Sequence, residues 1–198
     1  MAQSEVICTK RLELVSFNES FLTEKYVAWL NDPEVVRYSD QRFRDHTIQS
    51  CRDYTESFND SPHYLWAIVS KDDGLGHVGN ICATVEPPHQ IADLSILIGE
   101  RRVWGQGIGR EAWQAACGYL IGKASIRKIT AGTLSVNHGM LRVMEKCGMV
   151  EEGRRLRQHL FEGREVDIVY SGVFASDLVP PAIAAPVPKF AANELWQG

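Results

Sequence analysis

The chain has 198 residues, 44% of them hydrophobic and 23% charged, with a formal net charge of −4. This balance suits one globular domain with its own core and argues against a nucleic-acid partner, because phosphate-backbone binders carry a basic excess. No apolar run approaches the ~20 residues that span a bilayer, and the start MAQSEVICTK is too polar for a signal peptide, so a cytoplasmic protein with no membrane partner is expected. The five cysteines are odd in number and widely spread, and the six histidines lack ligand spacing, so neither a disulfide framework nor a metal site is expected.

In chain order, Val6 to Phe17 alternates enough for a first strand, and Asn18 is a good N-cap for a helix with Phe21, Leu22, Tyr26, Trp29 and Leu30 on one face. Asp32-Pro33-Glu34 resembles a fresh N-cap with proline at the first helical position, which predicts a break and a second short helix. The break is either a packing corner or a pocket wall; in the second case Trp29, Asn31, Tyr38 and Arg42 bind a substrate. Thr47 caps a further helix with Ile48, Cys51, Tyr54 and Phe58 inward. His63 to Ser70, His77 to Val85 and Ile91 to Ile98 then read as an antiparallel meander joined by the turns KDDG and EPPHQ.

After Ile98 the period changes. Ala112, Ala115, Ala116, Tyr119 and Leu120 recur at helical spacing behind Gly105, Gly107 and Gly109, so the glycines stand at a helix start. Unpartnered N–H groups and the positive end of the macrodipole suit a phosphate there, and glycines let it approach. The pattern is neither a Walker loop, which needs Gly-Lys-Ser/Thr, nor a dinucleotide fingerprint, since Arg110 stands at its last position. By itself GxGxG also fits a plain strand-to-helix turn. Arg127 to Val136 follows as a strand parallel to the central one. Asn137 and His138 open a shorter helix with Leu141, Met144 and Cys147 inward, closed by Gly148. Met149 to Gln158 and Val166 to Ala175 form a hairpin around FEGR. The domain is expected to occupy 1–176. The stretch 177–198, rich in proline and alanine, reads as an extended tail: either a disordered end, or a segment that docks through Phe190, Leu195 and Trp196 on the domain or in a homodimer contact.

Four stretches together resemble the GNAT superfamily of acetyl-CoA-dependent N-acyltransferases, most closely its RimJ/RimL-type branch. They are WLNDPEVVRY; ADLSILIGE followed by WGQGIGREA; Asn137 after the second core strand; and MEKCGMVEEGRRLRQHLFEGREVDIVYSGV. The resemblance covers roughly residues 8 to 176. It implies an α/β (α+β) fold: a mixed, mostly antiparallel central sheet flanked by helices, with a splayed parallel strand pair at the cofactor site. It implies acetyl-CoA as co-substrate and an amine acceptor. Ile96, Leu97 and Ile98 would bond the pantetheine through main chain, and Trp104, Gly105, Gln106, Gly107, Ile108, Gly109 and Arg110 would cradle the pyrophosphate. Asn137 would contact the cofactor near the mouth. Trp104 replaces a frequent Gln or Arg, Met144 occupies the position of a frequent tyrosine acid, and Met140 that of a frequent serine.

Neither methionine donates a proton. A thiol of pKa ~8.5 is nevertheless a fair leaving group, so the harder step is delivering the amine in its neutral form. Asp93, on the central strand and sharing a face with Ser95, is the candidate base, with Glu86 at the preceding turn as its companion. Asp93 also fits a solvated strand-end charge. His77 and His138 are weaker candidates, and Arg154, Arg157 and Asp167 fit either the acceptor side or a solvated hairpin. The expected activity is direct acetyl transfer to a primary amine, with a small amine such as an amino sugar or polyamine favoured. The alternatives are a ribosomal-type protein N-terminus as acceptor, or an acyl-CoA-binding sensor without turnover.

Overall fold

A computed structural model describes residues 1, 2 and 4–178. The tail predicted for 177–198 therefore lies, from residue 179 onward, outside the described residues. The strands are β1 (Ile7–Cys8), β2 (Leu12–Ser16), β3 (Tyr64–Ser70), β4 (His77–Glu86), β5 (Ile91–Ile98), β6 (Lys128–Leu134), β7 (Val150–Phe161) and β8 (Arg164–Phe174). They form one sheet in the order β1-β2-β3-β4-β5-β6-β8-β7. All neighbours are antiparallel except β5 and β6, as the connection through α3 (Ile108–Gly122) requires. The mixed α/β fold expected from the sequence is thus the observed one.

Strand alternation divides the interior into two cores. Leu12, Leu14, Trp66, Ile68, Ala92, Leu94, Ile129 and Ala131 face α3 and α4 (His138–Lys146), where Trp113, Leu120 and Met144 close the layer. Leu65 and Ala67 face the other way. They pack against α1 (Glu24–Asn31) through Tyr26, Val27 and Leu30, and against α2 (Ile48–Glu56) through Cys51. α2 is opened by the Thr47–Ser50 capping box, α4 by the Asn137 side chain accepting from Met140 N, and α4 is followed by Gly148 at φ +79°.

Several sequence expectations need correction. The first strand is two, because Thr9 Oγ1 accepts from Leu12 N and turns the chain between β1 and β2. Asn18 caps only the short 3-10 turn Glu19–Phe21, and Thr23 caps the helix proper. No helix follows Asp32-Pro33-Glu34: Asp32 Oδ1 accepts from Glu34 N in a local turn, and a 3-10 segment, Asp40–Phe43, comes only after Ser39. The terminal hairpin is longer than predicted, because Glu162 (φ +51°) and Gly163 (φ +77°) form a two-residue turn that matches strand twist. No helix among the described residues is long and apolar enough to cross a membrane.

Candidate active site

The site begins where β5 and β6 part. Ile91, Ala92 and Asp93 pair with Lys128, Ile129 and Thr130, and the pairing stops there. Beyond that point β5 keeps only β4, and β6 keeps only β8. The facing main-chain groups of Leu94 to Ile98 are left without a strand partner, and a narrow polar chain with amide groups fits such an edge. A cleft of about 450 Å³ opens from this gap, lined by Leu94, Ser95, Ile96, Leu97, Gly132, Thr133, Asn137 and Met140 on the sheet side. Its opposite walls come from α1, α2 and the segment between them, including Tyr38, Arg44, Asp45 and Tyr54.

Past Ile98 the chain makes the glycine turn. Gly105 (φ +74°) and Gly107 (φ +77°) have left-handed backbone, Gly107 is the N-cap of α3, and a Cβ on Gly105 would meet nothing within 4 Å. The turn thus has open space on the Cβ side of Gly105. Trp104 braces it, donating from Nε1 to Ile98 O at 2.9 Å. Gln106 Nε2 donates to Arg102 O at 2.7 Å.

The structure brings Ile96, Leu97, Asn137 and Tyr38 into the cleft and leaves several candidates outside it. Ile98 lies one step along β5, next to Gly109, where an added Cβ would be 3.5 Å from its Cγ1. Asn137 also braces the wall, donating from Nδ2 to Thr133 Oγ1 at 3.1 Å. Trp29 is buried beside His77 and over Gly99, where an added Cβ would lie 2.0 Å from the indole. Asn31 clamps the backbone of His46 through both its amide oxygen and nitrogen. Arg42 donates to Ser39 O at 2.8 Å and lies over the Phe43 ring. These three side chains therefore shape the wall from behind.

Asp93 and Glu86 share the sheet face of Ser95 without lining the cleft. Asp93 accepts from Thr130 Oγ1 at 2.8 Å across the last paired residues. Desolvation raises its carboxyl above the ordinary carboxylate value; the Thr130 bond opposes that shift and the charge of Glu86 adds to it. His77 is held by Gly79 O and Asn80 Oδ1 at 3.0 and 2.9 Å, and burial lowers its pKa. Met144 is buried in the core. Arg154 pairs with Glu151 and Asp167, while Arg157 N donates to Asp167 Oδ1, so these residues tie the hairpin together.

Three protic groups that sequence reading passed over meet on the cleft floor. Cys82 Sγ lies 3.0 Å from Ser95 Oγ, and Tyr54 Oη donates to the same sulfur at 3.9 Å. Burial raises the pKa of both the thiol and the phenol, so both keep their protons. The pairing register of β4 and β5, which sets Cys82 opposite Ser95, brings two of the three together.

Residues 11–150 match the family model described as acetyltransferase (GNAT) domain. The chain belongs to the GNAT acetyltransferases. This acetyltransferase therefore uses acetyl-CoA as co-substrate, and the splayed strands and open glycine turn are a fit for it. No curated protein matches its sequence. Among solved structures it resembles spermidine N-acetyltransferase from Vibrio cholerae in complex with CoA and spermine, with a TM-score of 0.75 at 18% identity, over 86% of this chain and 99% of that one. RimL, a ribosomal alpha-N-protein acetyltransferase in complex with coenzyme A, gives a TM-score of 0.75 at 16% identity, over 86% of this chain and 98% of that one. A GNAT-family acetyltransferase from Bacillus anthracis gives 0.73 at 19% identity, over 86% of this chain and 99% of that one. At these identities the likeness is one of fold.

Proposed function

We propose that this acetyltransferase, as a member of the RimJ/RimL-type branch, acetylates the primary amine of a small hydroxyl-bearing acceptor such as an amino sugar. The observation that carries this reading is the charge of the cleft. Its lining holds one carboxylate, Asp45, and one guanidinium, Arg44, beside hydroxyls such as Tyr38, Ser50, Tyr54 and Thr133. A polyamine carries several ammonium groups and asks for several carboxylates, whereas hydroxyls and a balanced charge pair suit a sugar. Access also favours a small acceptor. Tyr38 stacks on Phe161 at 5.3 Å and Arg37 pairs with Glu162 at 2.6 Å, so the hairpin tip latches onto the segment between α1 and α2.

In this reading Ile96, Leu97 and Ile98 hold the pantetheine through main chain, the turn from Trp104 to Arg110 holds the pyrophosphate, and Asn137 borders the mouth. Acetyl-CoA supplies the acetyl group as a thioester, already activated. Asp93 takes the proton of the incoming amine through water, with Glu86 adding negative charge nearby. Its raised pKa makes it a stronger base than an ordinary aspartate. Cys82 does not take the acetyl group, because burial keeps it a thiol rather than a thiolate nucleophile. Tyr54 and Ser95 donate hydrogen bonds to charge developing on the transferred group, a role that Met140 and Met144 lack the chemistry to fill.

The test is release of CoA thiol from acetyl-CoA with amino sugars, polyamines, aminoglycosides and N-terminal peptides as acceptors. Turnover confined to amino sugars and aminoglycosides is the expected result. Turnover on polyamines or peptides alone refutes the acceptor assignment, and acetyl-CoA binding without turnover on any amine replaces catalysis with a sensor role.

A further inference from the structure

The phosphate turn carries an electrostatic problem. Glu111 stands in the first turn of α3, where a carboxylate already satisfies the positive helix end that a pyrophosphate would use. An ionised Glu111 would repel a bound phosphate, and its pKa is held below the ordinary carboxylate value: its hydrogen bonds to Thr9 and Arg11 outweigh the opposing effect of burial.

A segment 100 residues away in sequence answers that problem. The turn between β1 and β2 lies over the start of α3, and Arg11 Nε donates to Glu111 Oε2 at 2.6 Å. Glu111 Oε1 accepts from Arg11 N at 2.9 Å and from Thr9 Oγ1 at 2.6 Å. The same guanidinium donates from Nη1 to Gln106 O at 2.9 Å, so it also fixes a peptide plane within the glycine turn. Its Nη2 lies 3.7 Å from the position a Cβ on Gly107 would take. One guanidinium thus spans the carboxylate and the turn, a fork geometry that lysine does not reproduce.

We propose that Arg11 is a positioning residue of the coenzyme site, cancelling the charge of Glu111 and holding the Gln106 carbonyl so that the amides of the turn face the pyrophosphate. This rests on the placement of acetyl-CoA in the glycine turn given above. Arg11 acts through Glu111 and the turn, and the acceptor side is untouched by it.

The experiment is calorimetric binding of acetyl-CoA to the full chain, with steady-state kinetics on the same preparations. Arg11→Gln leaves Glu111 uncompensated and is expected to weaken acetyl-CoA binding about tenfold and raise its KM in parallel, with kcat within about twofold. Adding Glu111→Gln to that variant is expected to restore binding to within about threefold of the wild type, because the repulsion is gone. Arg11→Lys keeps the charge without the fork and is expected to fall between the wild type and Arg11→Gln; it also serves where Arg11→Gln does not fold. An Arg11→Gln protein that binds like the wild type overturns the inference, as does Arg11→Lys binding like the wild type. A double variant as weak as Arg11→Gln also overturns it, since the charge of Glu111 would then play no part in binding. Failure of the wild type to bind acetyl-CoA overturns the coenzyme placement instead, and this inference with it.

Discussion

Gly99 offers the sharpest test of how β5 is held against α1. A Cβ at this position would lie 2.0 Å from Trp29 Cδ2, 2.3 Å from Cε3 and 2.4 Å from Cγ. Ordinary contact begins near 3.4 Å, so Gly99→Ala requires the indole or the end of β5 to retreat by more than an ångström. The indole has little room to do so: it is 7% exposed, with the His77 ring 5.0 Å away and Lys25 Nζ 5.1 Å from its centroid. Overpacking of a buried site costs about 1–3 kcal/mol, and contacts this short belong at the upper end. For a domain of this size about 3 kcal/mol lowers Tm by roughly 6–12 °C. Thermal unfolding followed by circular dichroism reads the shift directly. In a Trp29→Leu background the added methyl has space, so the further loss from Gly99→Ala is expected to fall below about 1 kcal/mol. A Tm within 2 °C of the wild type, or an equal loss in both backgrounds, would refute the packing argument.

Three further outcomes are expected. Asp93→Asn should lower kcat/KM about 10²- to 10⁴-fold. In the wild type the acid limb should lie above the ordinary carboxylate value of 3.8, because burial disfavours the ionised form that accepts the proton. The same shift predicts that Asp93→Asn is no less stable than the wild type at neutral pH. A raised folded-state pKa contributes stability only while the carboxyl is protonated and loses it as pH rises through the folded value; pH-rate profiles and denaturant titrations check both. Gly107→Ala should cost about 1 kcal/mol of stability for its left-handed backbone, and should raise the KM for acetyl-CoA more than it lowers kcat. Glu100, bonded to Arg102 and paired with Lys25, has its pKa lowered from 4.5 to about 2, so its contribution is present above pH 4.5 and disappears as pH falls toward 2. Glu100→Gln should therefore be less stable than the wild type at pH 7 and indistinguishable from it near pH 2, as read by urea midpoints across that range.

Where chain geometry depends on residues a few positions apart, the sequence carried the answer. Thr47 with Ser50, Asn137 with Met140 and Gly148 after Lys146 are caps whose partners lie within one helical turn, and each is legible without a fold. The change from period two to helical period around Gly105 located the strand, the turn and α3 by the same local logic. The failed second helix after Asp32 marks the limit, because an acidic N-cap candidate followed by proline serves a local turn equally well. Tertiary structure decided the side-chain contacts that join distant segments. It put Trp29 over Gly99 rather than in the cleft, stacked Tyr38 on Phe161, brought Tyr54 to Cys82 and set Arg11 against Glu111. Such contacts depend on side-chain volume and hydrogen-bond geometry between residues that meet only after the sheet has formed, and no periodicity or spacing encodes them.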